Sequence, residues 1–322
     1  MPLTVSNNSA VASASYYLDK NQKALQHSIK KLASGKRIIA PNEDPGTLSV
    51  VMKLNASVQR LKGAKNNVQN GMSFVEVQDG MLETVGRIVS RMAELKGMAT
   101  QDPMKSTQDV ESYNNEFIDL QKQLRDISKS TFNGVSLFAT YAGTKQELDS
   151  GNVKTRYKGS ETTDNIIEIY TSSEGSSGTK ISLYRSALLS ALTIKGGVSI
   201  GNAQEWNWGT TGTNTYGLFA SDENGTISLG TAGLSMGIFE QAVANIAYLR
   251  AQASGGMSRL NFAADALSSM ETNMRAAIGR IEDVDIAEES ANRAKFSILT
   301  QAAAAMVAQA NTTNDVALML LR

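Results

Sequence analysis

Residues 110–127, VESYNNEFIDLQKQLRDI, carry the clearest structural pattern in the sequence. Apolar side chains recur there at alternating steps of three and four residues, at Val110, Tyr113, Phe117, Leu120, Leu124 and Ile127. This spacing places them on one face of an α-helix. Ser106 followed by Asp109 forms the capping-box pattern that begins such a helix. The stretch therefore predicts an amphipathic helix that starts near Ser106.

Helical periodicity extends from this stretch towards the amino terminus through two further segments. In the first segment, apolar residues recur at the heptad spacing of a coiled-coil seam, at Val11, Leu18, Leu25 and Leu32. Gly35 breaks that pattern, and a turn follows in which Asp44 is the predicted N-cap and Pro45 the first helical residue. A second helix is predicted from about residue 46 to residue 100, where Asp102 and Pro103 end it.

A similar helical pattern returns in residues 234–321, but its last stretch has a seam made mostly of alanine. The seam positions are Ala291, Ala294, Ile298 and Ala305. Small seam residues allow helices to approach closely, although each buries little apolar area. We therefore expect the last helix to be marginal alone and stable only when it is packed against partners.

The middle of the chain, about residues 139–233, is rich in Ser, Thr, Gly and Asn and has short β-branched runs. Strands are predicted at Ile166–Tyr170, Lys180–Tyr184, 198–200, 216–220 and 226–229. Residues 187–194 fit either a strand or a helical turn. Both tryptophans, Trp206 and Trp208, lie in this region, which predicts a small core of its own.

These patterns together predict a mainly α fold with a β-rich insertion. Long coiled-coil-like helices from both termini pack together, and a variable outer β domain lies in the middle. We predict a terminal helical domain over 1–44 and 285–322, a helical rod domain over 45–140 and 234–284, and the outer domain over 141–233. A fold that splits its helices between the two termini is typical of a rod-like assembly subunit.

Composition excludes several classes of function. Lys plus Arg and Asp plus Glu are both 31, so the chain lacks the basic excess of a nucleic-acid-binding protein. Cysteine is absent and His27 is the single histidine, which excludes thiolate sites, His-rich metal sites and any mechanism that needs two imidazoles. Common catalytic and nucleotide-binding motifs are also missing, and we expect no cofactor, no metal site and no enzymatic activity. The acidic residues of 282–289 fit a helix start that faces Arg280 and Arg293 better than a calcium loop.

Localisation is also constrained by the sequence. The first residues have neither a basic nor an apolar signal-peptide region, and no apolar run approaches the roughly 20 residues of a membrane span. We therefore expect no membrane association. The protein is expected to stay in the cytoplasm or to leave without a cleaved signal peptide.

Three short motifs resemble those of bacterial flagellins. Residues 31–38, KLASGKRI, are similar to the end of the first flagellin helix, and residues 132–138, FNGVSLF, to the motif after the third. Residues 280–289, RIEDVDIAEE, match the carboxy-terminal signature, which Gln301, 309–311 and 316–321 complete. The chain departs from the family at 41–46, PNEDPG, and at 312–315, TTND.

The resemblance implies a structural subunit that polymerises into the bacterial flagellar filament for swimming motility. It implies secretion in the unfolded state through the flagellar type III apparatus to the extracellular flagellum. The partners it implies are further copies of the chain, an export chaperone, and the filament cap and junction proteins. The core of the assembly would be formed by the two terminal seams described above.

The resemblance also implies a patch for a Toll-like receptor of a host, formed by Arg91, Leu95 and Glu116. The alternative is that Arg91 and Leu95 only pack or pair within the subunit. At the level of the whole protein, a hook–filament junction protein shares both helical ends and is the main alternative to a filament subunit. A secreted adhesin with a glycan-binding middle domain is the alternative from another class.

Overall fold

The computed structural model describes residues 9–101, 104–139, 166–195, 215–220, 226–231 and 233–320. The chain divides into two compact units. One comprises Met1–Gln59 with Met270–Arg322, and the other comprises Arg60–Ser269. The first unit therefore combines the two ends of the chain, whereas the second is one continuous stretch.

Helices make up most of the described chain, which confirms the predicted mainly α class. In chain order they are α1 (Ser9–Ser34), α2 (Pro45–Gln101), α3 (Thr107–Ser128), α4 (Leu188–Ala191), α5 (Met236–Glu282) and α6 (Ile286–Leu320). The strands are β1 (Thr131–Phe132), β2 (Val135–Ser136), β3 (Ile166–Tyr170), β4 (Lys180–Tyr184), β5 (Thr193–Lys195) and β6 (Thr215–Gly217). The predicted pairing of helices from the two termini is confirmed by the packing of α1 against α6.

Local side-chain contacts explain where the helices begin. Ser106 and Asp109 form the predicted capping box, in which the Asp109 amide donates to Ser106 Oγ at 3.2 Å and the Ser106 amide donates to Asp109 Oδ2 at 2.9 Å. Asp44 Oδ1 accepts the Thr47 amide at 3.0 Å, as an N-cap does before Pro45. Helix α1 ends at Gly35, whose φ of +70° is the left-handed conformation that glycine adopts readily.

The strands form three separate antiparallel pairs, β1 with β2, β3 with β4, and β5 with β6. The predicted strands at Ile166–Tyr170 and Lys180–Tyr184 are confirmed, and Ile166 lies opposite Tyr184 in their register. The candidate at 216–220 is shorter than expected and becomes β6. Residues 187–194 contain the short helix α4 and then the start of β5, so both alternatives occur in turn.

The strand predicted at 226–229 is wrong, because the backbone there bonds to helical side chains instead of a neighbouring strand. Gln121 of α3 accepts the Ile227 amide through Oε1 at 2.9 Å and donates to the Ile227 carbonyl through Nε2 at 3.0 Å. Asn114 Oδ1 accepts the Leu229 amide at 2.9 Å. The side-chain amides of Gln121 and Asn114 therefore take the place of the neighbouring strand that the sequence pattern predicts. The candidate strand at 198–200, Trp206 and Trp208 lie outside the described residues.

The described parts of the middle region share buried side chains with a larger unit, whereas Trp206 and Trp208, on which the expectation of a separate core rests, lie outside the described residues. The described parts belong to the Arg60–Ser269 unit and contribute fully buried side chains to it, including Leu188, Leu192 and Ile194. Asn245 of α5, itself buried, donates through Nδ2 to the Ala191 carbonyl at 2.8 Å. The β segments are therefore part of the packing of the helices.

Candidate assembly interface

Helices α1 and α6 pack along each other, and the predicted α1 seam lies at their contact. Val11, Leu18, Leu25 and Leu32 are all half-buried. Ala14 and Ser28, which occupy the same face, are buried. Ser28 Oγ donates to the Glu289 carbonyl of α6 at 3.2 Å and also contacts the Glu289 carboxylate. Asn21 Nδ2 donates to the Leu299 carbonyl at 3.5 Å.

The alanine-rich seam of α6 points away from α1. Ala291, Ala294, Ile298 and Ala305 are exposed, and Ile298 retains 66% of its accessible surface. The half-buried positions of α6 form a different row, which includes Asn292, Phe296, Thr300, Ala303, Val307 and Ala310. Sequence periodicity could not separate the two rows, because apolar and small residues occupy both sides of this helix.

The two connections that leave the α1–α6 pair are bonded to each other. The Arg37 amide donates to the Glu282 carbonyl at 2.7 Å, and the Val284 amide donates to the Gly35 carbonyl at 3.0 Å. Lys36 Nζ lies 2.5 Å from Glu282 Oε1. This ion pair differs from the prediction that the acidic run faces Arg280 and Arg293. The long separation between Lys36 and Glu282 in the sequence explains why the local pattern did not indicate it.

His27 has an acidic partner that lies beyond its own helix. Its Nε2 is 2.9 Å from Oε1 of Glu43, in the turn that precedes α2. The Glu43 carboxylate also accepts the amides of Ile39 and Ala40. These bonds, above all the one from His27, hold the pKa of Glu43 below its ordinary value. The contact ties the turn to α1.

The predicted receptor patch is only partly on the surface. Arg91 donates to Glu116 through Nε at 2.8 Å and through Nη2 at 3.2 Å, and its Nη1 donates to Glu94 at 3.0 Å. These carboxylates raise the pKa of Arg91, with Glu116 contributing most. Leu95, however, is fully buried, so a surface role for this residue is excluded in this conformation.

A buried lysine helps to hold the extended segment 226–231. Lys96 of α2 is 9% exposed, and its Nζ donates to the Leu229 carbonyl at 2.5 Å. Burial, and secondarily the charge of Lys105, lower the pKa of Lys96. Lys96, Asn114 and Gln121 thus clamp this segment. One feature of the sequence pointed to the clamp. Gln121 lies four residues after Phe117 and three before Leu124, so it is a polar residue on the apolar face of α3.

The described residues were also compared with the requirements of a metal site and of a membrane span. Within the described residues, no group of three or more His, Asp or Glu side chains could hold a metal ion. No helix in that part of the chain is long and apolar enough to span a membrane.

Comparison with known proteins assigns this architecture to a class of filament-forming structural proteins. Residues 5–142 match the model of the bacterial flagellin N-terminal helical region, and residues 236–321 match that of the C-terminal helical region. The chain belongs to the bacterial flagellin family, whose members are structural proteins of the flagellar filament and not enzymes.

The similarity to individual flagellins extends over nearly the whole chain. Flagellin of Listeria innocua is 27% identical over 309 residues, which cover 95% of this chain and 94% of the relative. Flagellin of Bacillus subtilis is 28% identical over 327 residues, covering 99% and 100%. The crystal structure of Bacillus cereus flagellin aligns with a TM-score of 0.41 and 22% identity, covering 66% of this chain and 94% of that one.

Proposed function

We propose that the outward face of α6, together with α1, is the surface through which copies of this chain pack into the flagellar filament. The chain is a filament subunit by family. The proposal names the part of the subunit that forms the filament core, namely residues 1–44 with 285–322. Residues 45–140 with 234–284 and residues 141–233 would then lie outside that core.

The supporting observation is the unusual apolar character of α6. No charged residue occurs in residues 296–312, although much of this segment is exposed in the single chain. Ile298 and Met306 are 66% and 64% exposed. A helix that lies alone at a surface normally turns a charged or polar face to solvent and buries its large apolar side chains. Because α1 covers only one side, other copies of the chain are the natural cover for the rest.

Packing between copies also accounts for the small residues in the exposed row of α6, which we call the outer row (Ala291, Ala294, Ile298 and Ala305). Ala291, Ala294 and Ala305 let another helix approach closely, but each contributes little buried area. Such contacts are weak singly and become strong when each subunit makes several of them. If the contact joins different faces of neighbouring copies, its repetition yields an open helical polymer.

Removing both ends of the chain tests this proposal. We expect a chain that lacks residues 1–40 and 286–322 to form no filaments and to remain a soluble, folded monomer, because Arg60–Ser269 keeps its own buried side chains. Sedimentation under conditions in which the full chain polymerises measures the first outcome, and circular dichroism measures the second. Filaments formed by the truncated chain would refute the assignment.

A single substitution tests the outer row of α6 without removing the ends of the chain. Ile298→Ser removes an exposed apolar side chain and leaves the α1 contact intact, so we expect a higher concentration threshold for polymerisation. The matched control is Lys295→Ser, which changes an exposed charged residue one turn earlier. Equal thresholds for the two variants would argue against the outer row of α6.

Export and assembly partners follow from family membership and are part of this proposal. We infer secretion by the flagellar type III apparatus without a cleaved signal peptide, and contacts with an export chaperone, the filament cap and junction proteins. The limited cover of α1 and α6 in the single chain supports export before these helices are fully ordered. Labelling the amino terminus of protein from isolated filaments would reveal a cleaved leader if one exists.

A host Toll-like receptor remains a proposed partner, with Arg91 and Glu116 as the accessible residues. Their ion pair is half-exposed. When the receptor binds, this pair would either open or bond to a receptor side chain as well. We expect weak activation by the monomer, reduced further by Arg91→Ala. A reporter-cell assay with Lys122→Ala as the control tests this, and equal potency of wild type and Arg91→Ala would remove the patch.

A further inference from the structure

Residues 38–43, which we call the connecting segment, lead from α1 to α2 and are organised around one carboxylate. Glu43 Oε1 lies 2.9 Å from Nε2 of His27 on α1 and accepts the Ala40 amide at 3.2 Å. Glu43 Oε2 accepts the Ile39 amide at 3.3 Å. The Glu43 side chain retains only 23% of its accessible surface. One acidic group therefore bonds both to the segment and to the helix beside it.

The flanks of the connecting segment are fixed by other bonds. Gly35 and Arg37 bond through their backbone groups to residues 282–284, and Asp44 caps α2. Among the described residues, the contact between the carboxylate and the imidazole is the hydrogen bond that joins the connecting segment to α1. The attachment of this segment to α1 therefore depends on the charge state of one acid.

The titratable and charged groups of the elements around Glu43 are of both signs. Its direct neighbour is His27, whose hydrogen bond contributes most to holding the pKa of Glu43 below its ordinary value of 4.5. Histidines become charged in mildly acidic solution, where such a contact turns into an ion pair. The other groups lie on α1, in the connection to α2 and around the start of α6: Lys23, Lys30, Lys31, Lys36, Arg37, Asp44, Glu282, Asp283, Asp285 and Glu289.

We propose that Glu43 is an acid-sensitive latch, whose carboxylate holds the connecting segment against α1 and whose protonated form releases it. The carboxylate accepts bonds from the ring and from two amides, whereas a protonated acid is a weaker acceptor and does not attract an imidazolium. Because the folded pKa lies below 4.5, the latch stabilises the folded chain above that value and is lost as the pH falls through the folded pKa. The latch lies within one subunit and does not depend on polymerisation.

Release of the latch should stay local. The Asn21 side chain donates to the Leu299 carbonyl, and the Arg37 amide donates to the Glu282 carbonyl. Neither bond contains a group that titrates in acid, so α1 keeps its place on α6 when Glu43 is protonated. The pH would then change the order of the connection between α1 and α2 without unfolding either helix.

Hydrogen exchange of the Ile39 and Ala40 amides tests the latch in the monomeric full chain. With exchange corrected for the intrinsic effect of pH, we expect protection in wild type to fall roughly threefold to tenfold from about pH 6 to about pH 3. Glu43→Gln mimics the protonated acid, so its protection should already be low at pH 6 and should change little in acid. Asp19→Asn removes an exposed carboxylate that pairs with Lys23 on α1 and is the matched control, which should behave as wild type.

His27 provides a second readout, because it is the single histidine and its ring gives one NMR titration curve. In wild type the ring should sense the Glu43 proton as a separate inflection below pH 4.5, and this inflection should be missing in Glu43→Gln. Equal protection of the two amides at pH 6 in wild type and Glu43→Gln would overturn the latch. So would an acid inflection of the ring that persists in Glu43→Gln, or loss of protection along the whole of α1 in that variant.

Discussion

Single polar residues in this protein hold extended segments against helices. Lys96 does so with a buried ammonium group whose observed hydrogen-bond acceptor is the neutral carbonyl of Leu229. Keeping that charge in a buried position carries an energetic cost, which is why its pKa is lowered. Gln121 achieves the same clamping without charge, because its amide supplies one donor and one acceptor to Ile227.

The depressed pKa of Lys96 predicts a pH dependence of stability. Between the folded pKa and 10.5, the folded chain holds neutral Lys96 whereas the unfolded chain holds the charged form. Unfolding takes up a proton in that window, so the free energy of unfolding rises with pH. We expect the stability of wild type to increase relative to Lys96→Met as the pH approaches 10.5.

Urea unfolding of both proteins between pH 7.5 and 10.5 measures this difference. Lys122→Met, at an exposed position of α3, controls for the general loss of one positive charge. A constant difference between wild type and Lys96→Met over the whole range would contradict a depressed folded pKa.

At the scale of secondary-structure elements, the β3–β4 hairpin packs against helices at positions where the helix has a glycine. Ile169 of β3 projects onto Gly71 of α2, and Leu183 of β4 onto Gly256 of α5. The hairpin thereby sits on two helices at positions where each helix lacks a side chain. At Gly256 the close neighbour is thus a strand residue and not another helix.

Filling the Gly71 site should lift the hairpin from α2. A Cβ atom there would clash with the side chain of Ile169, which is 7% exposed and has little room to move. We expect Gly71→Val to lower the free energy of unfolding by about 1–3 kcal/mol. Thermal and urea unfolding measure the loss.

Two further variants make the test specific to that contact. Adding Ile169→Ala to Gly71→Val should recover part of the lost stability, because the shortened side chain leaves room for valine. Gly63→Val places the same residue on α2 where nothing lies within 4 Å. If Gly63→Val destabilised the protein as much as Gly71→Val, helix propensity would be the cause instead of the clash.

At the scale of the whole molecule, the middle of the chain contributes to the stability of the helices around it. Leu188, Leu192 and Leu218 are buried in the Arg60–Ser269 unit, and Gln121 and Asn245 bond to backbone groups of the middle region. The described parts of the middle region therefore pack as part of that unit.

Deletion of residues 141–233 should accordingly destabilise the subunit. A separate core, as the sequence predicts, would allow this segment to be removed without loss of polymerisation. We now expect a lower melting temperature by circular dichroism, because the deletion exposes apolar surface and leaves buried amides without partners. An unchanged melting temperature together with normal filaments would restore the original expectation.

Much of the secondary structure was determined by local sequence. Capping residues such as Ser106 and Asp44 act within one helical turn, so the starts of α3 and α2 could be predicted. The strands β3 and β4 were predicted for the same reason, since alternation and turn residues are local signals. The α1 seam was predicted because its heptad apolar positions interrupt a polar helix.

Only the tertiary structure decided which faces of these elements meet. Helix α6 is apolar and small on several sides, so its sequence could not show which row faces α1. The segment 226–229 has the composition of a strand, but Gln121 and Asn114 bind its backbone. Glu43 is the partner of His27, and Lys36 that of Glu282. Such contacts join residues that are distant in sequence, and their geometry exists only once the chain has folded.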